Sequence, residues 1–307
     1  MPRLRPLSIC LLFILFATSS VFAQTGNTPE DKGPIQVFIL SGQSNMDGRG
    51  VPEKLTPDQL KLVTPSPDIL YYFHLMPGLD YAEIGNHKWE QLAIFTNRWK
   101  AKQFGPEITF AKSIAKNMPN QKIAILKLSQ GGANLYRDFS PTINDEEIHG
   151  YHLYPWLTRT AHRAIGRLEQ MGYQPKINAF IWVHGWSDAF ASEASANNYE
   201  KNLTEFFQYV RRDFDNPKLP IVFSQINPDI KVKWAPPVLS AQTAVAAADQ
   251  NSIMIPSTDL TLLEDGAHFT PDSYITLGNN LANAYIKLKS QLDEAEKEAK
   301  TTEAISE

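Results

Sequence analysis

Short apolar runs alternate along this chain with longer stretches of helical spacing, and that alternation constrains the fold more than any other feature. The runs are IQVFIL (35–40), KIAILKL (122–128), INAFIWV (177–183), PIVFSQI (220–226) and SIMIP (252–256). Each is too short for a core helix and mostly apolar at successive positions, the pattern of a strand buried on both faces. Between them, GPEITFAKSIAKNM (105–118) sets Ile108, Ala111, Ile114 and Ala115 on one helical face. YPWLTRTAHRAIGRLEQMG (154–172) does the same with Leu157, Ala161, Ala164 and Leu168, and a glycine ends it. SANNYEKNLTEFFQYVRRDF (195–214) follows through Tyr199, Leu203, Phe206 and Val210, and VLSAQTAVAAAD (238–249) and DSYITLGNNLANAYIKLKSQL (272–292) complete the series. Strands alternating with helices predict a parallel sheet of about five strands covered on both faces, in one α/β domain over residues 34–292. The stretch from Val51 to Phe104 breaks the rhythm. Its pieces DILYYFH (68–74) and KWEQLAIF (88–95) are candidates for an added strand pair.

Both ends of the chain read differently. Residues 1–23 carry two arginines, an apolar run and a small-residue end at Val21-Phe22-Ala23, which predicts a cleaved signal peptide. The run is too short to span a membrane comfortably, so no stable membrane anchor is expected. The one cysteine, Cys10, lies in that leader, so the remaining chain has neither a disulfide nor a cysteine nucleophile. The expected location is a periplasm or extracellular space. Residues 293–307 are charged and free of aromatics, and they predict a disordered tail beyond the last helix. The net charge is −4, and about −6 without the leader's arginines, which argues against nucleic acid as a partner.

In a parallel sheet, chemistry collects in the loops at the carboxyl ends of the strands. The first run is followed by SGQSNMDGRG (41–50), the second by SQGGANL (129–135), the third by HGWSDAF (184–190), and the last, after a short segment, by EDGAHFT (264–270). Each loop supplies glycines and polar side chains to one edge. Ser44 is the candidate nucleophile. A hydroxyl is weak at neutral pH and needs a general base. His268 is the candidate base, and Asp265, three residues earlier, is placed to fix its tautomer through one ring nitrogen. Acyl transfer also needs donors for the oxyanion, and losing one costs ~3 kcal/mol of barrier. The backbone N–H of Ser44 is one candidate, the pair Gly131-Gly132 offers a second, and the side chain at position 184 a third.

With these blocks the sequence resembles the SGNH hydrolases, and within them the sialate O-acetylesterase-type carbohydrate esterases, over roughly Pro34 to Ile286. SGQSNMDGRG resembles that family's nucleophile block, ILKLSQGGANL its glycine block and DGAHFTPDSYITLG its Asp-x-x-His block. The resemblance implies a flavodoxin-like three-layer α/β/α sandwich. It also implies Ser44 as nucleophile, His268 as base, Asp265 as its orienting acid and Gly132, before Gly131, as oxyanion donor. The implied reaction is hydrolysis of acetylated carbohydrate without metal or other cofactor.

The third block departs from the family pattern Trp-x-Gln-Gly-Glu-x-Asp. WVHGWSD has His184 in place of glutamine and Trp186 in place of glutamate. A neutral histidine still donates one N–H, so His184 is expected to serve as an oxyanion donor, the alternative being a satisfied core histidine. Trp186 is a candidate for stacking on a sugar or for packing, and Asp188 reads as a loop brace. Asn45, beside the nucleophile, is expected to fix its loop and is a candidate substrate contact. Arg49 reads as a salt-bridge partner, the alternative being a contact to an acidic sugar. His149 and His152 have metal-ligand spacing but no evident third ligand. The aromatics Tyr71, Tyr72, Phe73, Trp89 and Trp99 read as core, the alternative being the lining of a sugar cleft. Rival readings are an esterase or lipase of another substrate class and a non-catalytic carbohydrate-binding relative, with a metal-dependent hydrolase a distant third.

Overall fold

The structure, a computed structural model, describes residues 29–75, 84–85, 87–96, 101–142 and 152–306. The expected leader, Trp99 and His149 lie outside the described residues. In chain order the elements begin with β1 (Gly33–Gly42), α1 (Ser44–Asp47), α2 (Pro57–Leu62), β2 (Ser66–Leu75), β3 (Ile84–Gly85), β4 (Glu90–Leu92), β5 (Phe95–Thr96) and β6 (Lys102–Gln103). Next come α3 (Glu107–Asn117), β7 (Lys122–Ser129), α4 (Leu153–Gln170), β8 (Tyr173–Val183), α5 (Trp186–Ala191), α6 (Glu193–Asn197) and α7 (Tyr199–Asp213). The chain closes with β9 (Ile221–Ser224), α8 (Ala235–Ala248), β10 (Ser252–Ile255) and α9 (Pro271–Ser306).

The main sheet runs β10-β9-β8-β1-β7-β2-β3, with β4 also paired to β2. From β10 to β2 every pairing is parallel, whereas β3 and β4 lie antiparallel on β2. The five apolar runs are therefore all strands of one parallel sheet, and the sheet is wider than the five expected. β2, anticipated as part of a strand pair, both pairs with β4 and extends the parallel array beside β7. It joins because Ile69, Tyr71, Tyr72 and Phe73 bury their side chains.

Alternation along β1 explains the three layers. Ile35, Val37 and Ile39 face a core shared with Leu157, Ala161 and Ala164 of α4, Leu203 and Phe206 of α7, and Val238 of α8. Phe38 and Leu40 face the opposite core, with Ile108, Ala111 and Ile114 of α3 and Leu277 and Leu281 of α9. A fully buried side chain of this size contributes roughly 1.5–3 kcal/mol, so both faces of β1 favour the same register. The helix α9 corrects one expectation: it continues through 293–306, where a disordered tail was expected. That segment holds no glycine or proline, and pairs such as Glu296 with Lys300, four apart at 2.8 Å, suit a helix. No described helix is long and apolar enough to cross a membrane.

Candidate active site

Gly42, the last residue of β1, pairs in register with Ser129 of β7 and Val183 of β8, so the chain leaves three neighbouring strands at one level. Gly42 has φ +144°, and a Cβ there would stand 2.1 Å from the Val183 carbonyl oxygen. No other residue fits so abrupt an exit. Gln43 N–H then donates to Val183 O at 3.1 Å, and Gln130 N–H to Gly42 O at 3.0 Å. The Gln43 side-chain oxygen accepts from the N–H groups of Gly185 and Ser187, both at 3.1 Å. The turn carrying Ser44 is thus tied to the loops after β7 and β8. Ser44 opens α1, where a backbone N–H has no intrahelical acceptor, and it is 8% exposed.

Beneath α1 lies a charged cluster that the sequence reading missed. Lys127 of β7 is fully buried and sits 2.8 Å from the Glu107 carboxylate, itself fully buried at the start of α3. The same ammonium donates to Asp47 O at 2.8 Å, at the end of α1, and lies over the rings of Phe73 and Phe95. Burial lowers the Lys127 pKa and Glu107 draws it back up. Asp47 is pushed up by burial and held down by Arg49 first, then Ser129, Lys127 and Gly131. Arg49 forms the salt bridge expected of it, 3.6 Å from Asp47. The Gly131 N–H is turned toward the Asp47 carboxylate. A Cβ on Gly131 would lie 2.8 Å from that carboxylate and 3.5 Å from Ser44 Cβ. Gly132, at φ +78°, borders open space.

The loop between β10 and α9 is closed by an antiparallel bridge from Leu262 to Phe269. Within it, one Asp265 oxygen accepts from His268 Nδ1 at 2.7 Å, and the other accepts from the backbone N–H groups of Ala267 and His268, each at 2.9 Å. Partial burial pushes the Asp265 pKa up, but these bonds outweigh it and hold the carboxyl below its usual range. Asn45 ties this loop to the turn carrying Ser44. Its amide donates to Ala267 O at 2.9 Å and accepts from Phe269 N–H at 3.3 Å and Tyr274 O–H at 2.7 Å. The residue after Ser44 is therefore bonded to both neighbours of His268. Asn45 fixes its loop as expected, but its amide is engaged with protein rather than left for substrate. Among the described residues Ser44 Oγ makes no hydrogen bond to the His268 ring.

His184 corrects the sequence reading. Its Nε2–H donates to Ala133 O at 3.0 Å and its Nδ1 lies 3.2 Å from the Tyr199 hydroxyl, so both nitrogens are engaged inside the core. Trp182 stacks on it with ring centroids 4.6 Å apart, and burial lowers its pKa to about 3. It has no N–H left for an oxyanion. It is the satisfied core histidine of the alternative reading, because directly after β8 its ring turns inward, onto Trp182 and between Ala133 O and the Tyr199 hydroxyl. Asp188 braces the loop after β7, accepting from Leu135 N–H at 2.8 Å, Tyr136 N–H at 3.1 Å and Ser195 Oγ–H at 2.7 Å. Trp186 lines a narrow pocket together with Gln43, Asn45, Ile226, Asn227 and Ala267. Gln242 shapes that pocket from α8 by donating to His184 O and accepting from Ile226 N–H. His152 precedes α4 at φ +48°. The one signal for the missed cluster was a lysine inside an apolar run. Nothing in its vicinity named Glu107 as its partner.

A family model described as carbohydrate esterase, sialic acid-specific acetylesterase, matches residues 34–287. A probable carbohydrate esterase of Arabidopsis thaliana is 27% identical over 274 residues, covering 84% of this chain and 94% of its own. The X-ray structure of that plant protein superposes with a TM-score of 0.62 at 25% identity, over 83% of this chain and 98% of the other. A carbohydrate acetylesterase from Xanthomonas citri shares the fold at a TM-score of 0.55 and 16% identity, over 81% of this chain and 55% of its own.

Proposed function

The chain belongs to the carbohydrate esterase, sialic acid-specific acetylesterase family, and from that premise we propose that it is an exported serine esterase that removes O-acetyl groups from carbohydrate through Ser44, His268 and Asp265. Ser44 Oγ attacks the acetyl carbonyl carbon while His268 Nε2 takes its proton. Asp265 holds the opposite ring nitrogen, fixing the tautomer and stabilising the imidazolium. The carbonyl electrons collect on oxygen, where the N–H groups of Ser44 and Gly132 receive them. Collapse breaks the bond to the sugar oxygen, which leaves with the proton from His268. Water, deprotonated by the same ring, then attacks the acetyl-enzyme and releases acetate with Ser44 restored. His184 takes no part in these steps.

The observation that carries the reading is the Asn45 amide, bonded on both sides of His268 while adjacent in sequence to Ser44. The short approach of hydroxyl to imidazole belongs to the substrate complex, where catalytic hydrogen bonds commonly tighten. Export rests on the leader pattern over residues 1–23, and the N-terminal sequence of the protein recovered outside the cytoplasm tests it. For the chemistry, Ser44→Ala is expected to lower turnover of acetylated glycans by about 10⁴-fold or more and to abolish labelling by a fluorophosphonate. Retained activity or labelling in that variant refutes Ser44 as the nucleophile.

A further inference from the structure

Resting on that reading of the reaction, we infer that Trp186 and Phe190 form a stacking wall for a neutral pyranose, the alcohol half of the ester, and that the site disfavours acidic sugars.

Trp186 begins α5 and Phe190 follows one turn later, the spacing that puts two side chains on one helical face. Their rings are stacked, with centroids 4.8 Å apart and planes 11° from parallel. Phe190 is 61% exposed, more than any other large hydrophobic among the described residues. A single exposed phenylalanine needs no explanation. What gives this one a direction is its partner. Trp186 lines the pocket that is also lined by Gln43 and Asn45, on either side of Ser44, and by Ala267, beside His268. The aromatic surface therefore runs from the reacting centre out to solvent. The Trp186 Nε1–H is buried and has no acceptor among the described residues.

A pyranose matches this surface on both counts. Its ring carries an apolar C–H face for the electron-rich face of an aromatic, and a rim of oxygens for an unpaired indole N–H. The charge pattern decides between neutral and acidic rings. Among the described residues no lysine or arginine lines the pocket. The ring of His184, its one histidine, has both nitrogens engaged within the core. Arg49, near the nucleophile turn, is already drawn to Asp47 at 3.6 Å. A sugar carboxylate brought into the pocket would lose water without gaining a free cation from the described lining, an unfavourable exchange.

The test uses the full-length protein with Phe190→Ala, whose exposed position leaves folding largely intact, and with Phe190→Tyr as the conservative variant. Binding of xylo-oligosaccharide and of N-acetylneuraminic acid is followed by tryptophan fluorescence. Hydrolysis is compared for acetylated xylo-oligosaccharide, O-acetylated N-acetylneuraminic acid, p-nitrophenyl acetate and p-nitrophenyl butyrate. Phe190→Ala is expected to weaken xylo-oligosaccharide binding about tenfold. It is also expected to lower kcat/KM for the neutral glycan ester, relative to p-nitrophenyl acetate, by about the same factor through KM. Phe190→Tyr recovers both, and the acidic sugar binds more weakly than the neutral one. The inference is overturned if glycan binding is indifferent to Phe190, if the acidic sugar is preferred, or if the largest loss falls on p-nitrophenyl butyrate, which would make the wall an acyl surface. The esterase reading fails separately. A wild type that binds neutral glycan through Phe190 and hydrolyses no acetyl ester keeps the wall and loses the reaction.

Discussion

The imidazole of His184 holds two parts of the fold together, the carbonyl of Ala133 through Nε2–H and the hydroxyl of Tyr199 through Nδ1, with Trp182 stacked on its face. Burial takes its pKa from 6.5 to about 3. Between those values the unfolded chain binds a proton that the folded chain refuses. Stability from this group is therefore full above about 6.5 and is lost as pH falls toward 3, by up to ~1.4 kcal/mol per pH unit. Asp188, 3.7 Å away, has the opposite linkage. Burial pushes its carboxyl up to about 7 against hydrogen bonds from Leu135, Ser195 and Tyr136, so the folded state binds the extra proton in that range. The two slopes offset each other in the wild type. His184→Gln removes one of them, so the variant is expected to gain on the wild type in urea unfolding as pH falls from about 6.5 to 4. It should also keep its turnover of acetyl esters, because the ring has no N–H to spare for the reacting oxygen. A loss of turnover of 10²-fold or more at equal stability, the size expected of an oxyanion donor, would return His184 to the catalytic set.

Lys127 works between elements. Its ammonium joins β7 to Glu107 at the start of α3 and to the last carbonyl of α1, all three groups buried. Bringing these charges out of water is costly, and the pairing offsets that cost only while both partners remain. Lys127→Met leaves the Glu107 carboxylate buried without its cation and is expected to destabilise the fold by about 3–5 kcal/mol. Adding Glu107→Gln should recover part of the loss, and a double-mutant cycle in urea measures the coupling. Additive effects of the two substitutions would mean that the pair holds nothing together. The same strand shows what the sequence could and could not say. KIAILKL was legible as a buried strand because its apolar residues are continuous. The destination of its lysine was not, since local pattern carries no information about a partner in another element. DILYYFH was legible as a strand in an added pair, yet its parallel seat beside β7 depends on pairing across the sheet. The charged end of α9 was misread because composition alone resembles disorder, while the absence of glycine and proline after Gly278 lets the helix continue.

Across the whole molecule, the parallel sheet explains why the candidate site could be read from scattered pieces. The parallel strands β10, β9, β8, β1, β7 and β2 all end on the same edge, so polar loops far apart in sequence gather there. What the pieces could not reveal is which side chains turn back into the core, as His184 does, and what locks the loops in place. The lock is Asn45, whose bonds reach Ala267, Phe269 and Tyr274 across more than two hundred positions. These bonds set the loop carrying His268 and Asp265 against the turn carrying Ser44, and no other described side-chain hydrogen bond from α1 reaches that loop. Asn45→Ala would remove the acceptor of the Tyr274 O–H and one partner each from the Ala267 carbonyl and the Phe269 N–H, at a cost of about 1–3 kcal/mol for a buried group left unpaired. Its larger effect should fall on rate. A shift of about 1 Å between hydroxyl and imidazole is enough to cost 10²-fold in reactivity. The expected result is a fall in kcat of that order with KM for an acetyl ester little changed, and fluorophosphonate labelling of Ser44 slowed in parallel. Asn45→Asp keeps the two acceptor bonds and loses the donor to Ala267 O, so it should fall between wild type and alanine. If Asn45→Ala loses stability while kcat and the labelling rate hold, the two halves of the site are positioned by their own loops, and the long-range clamp is structural alone.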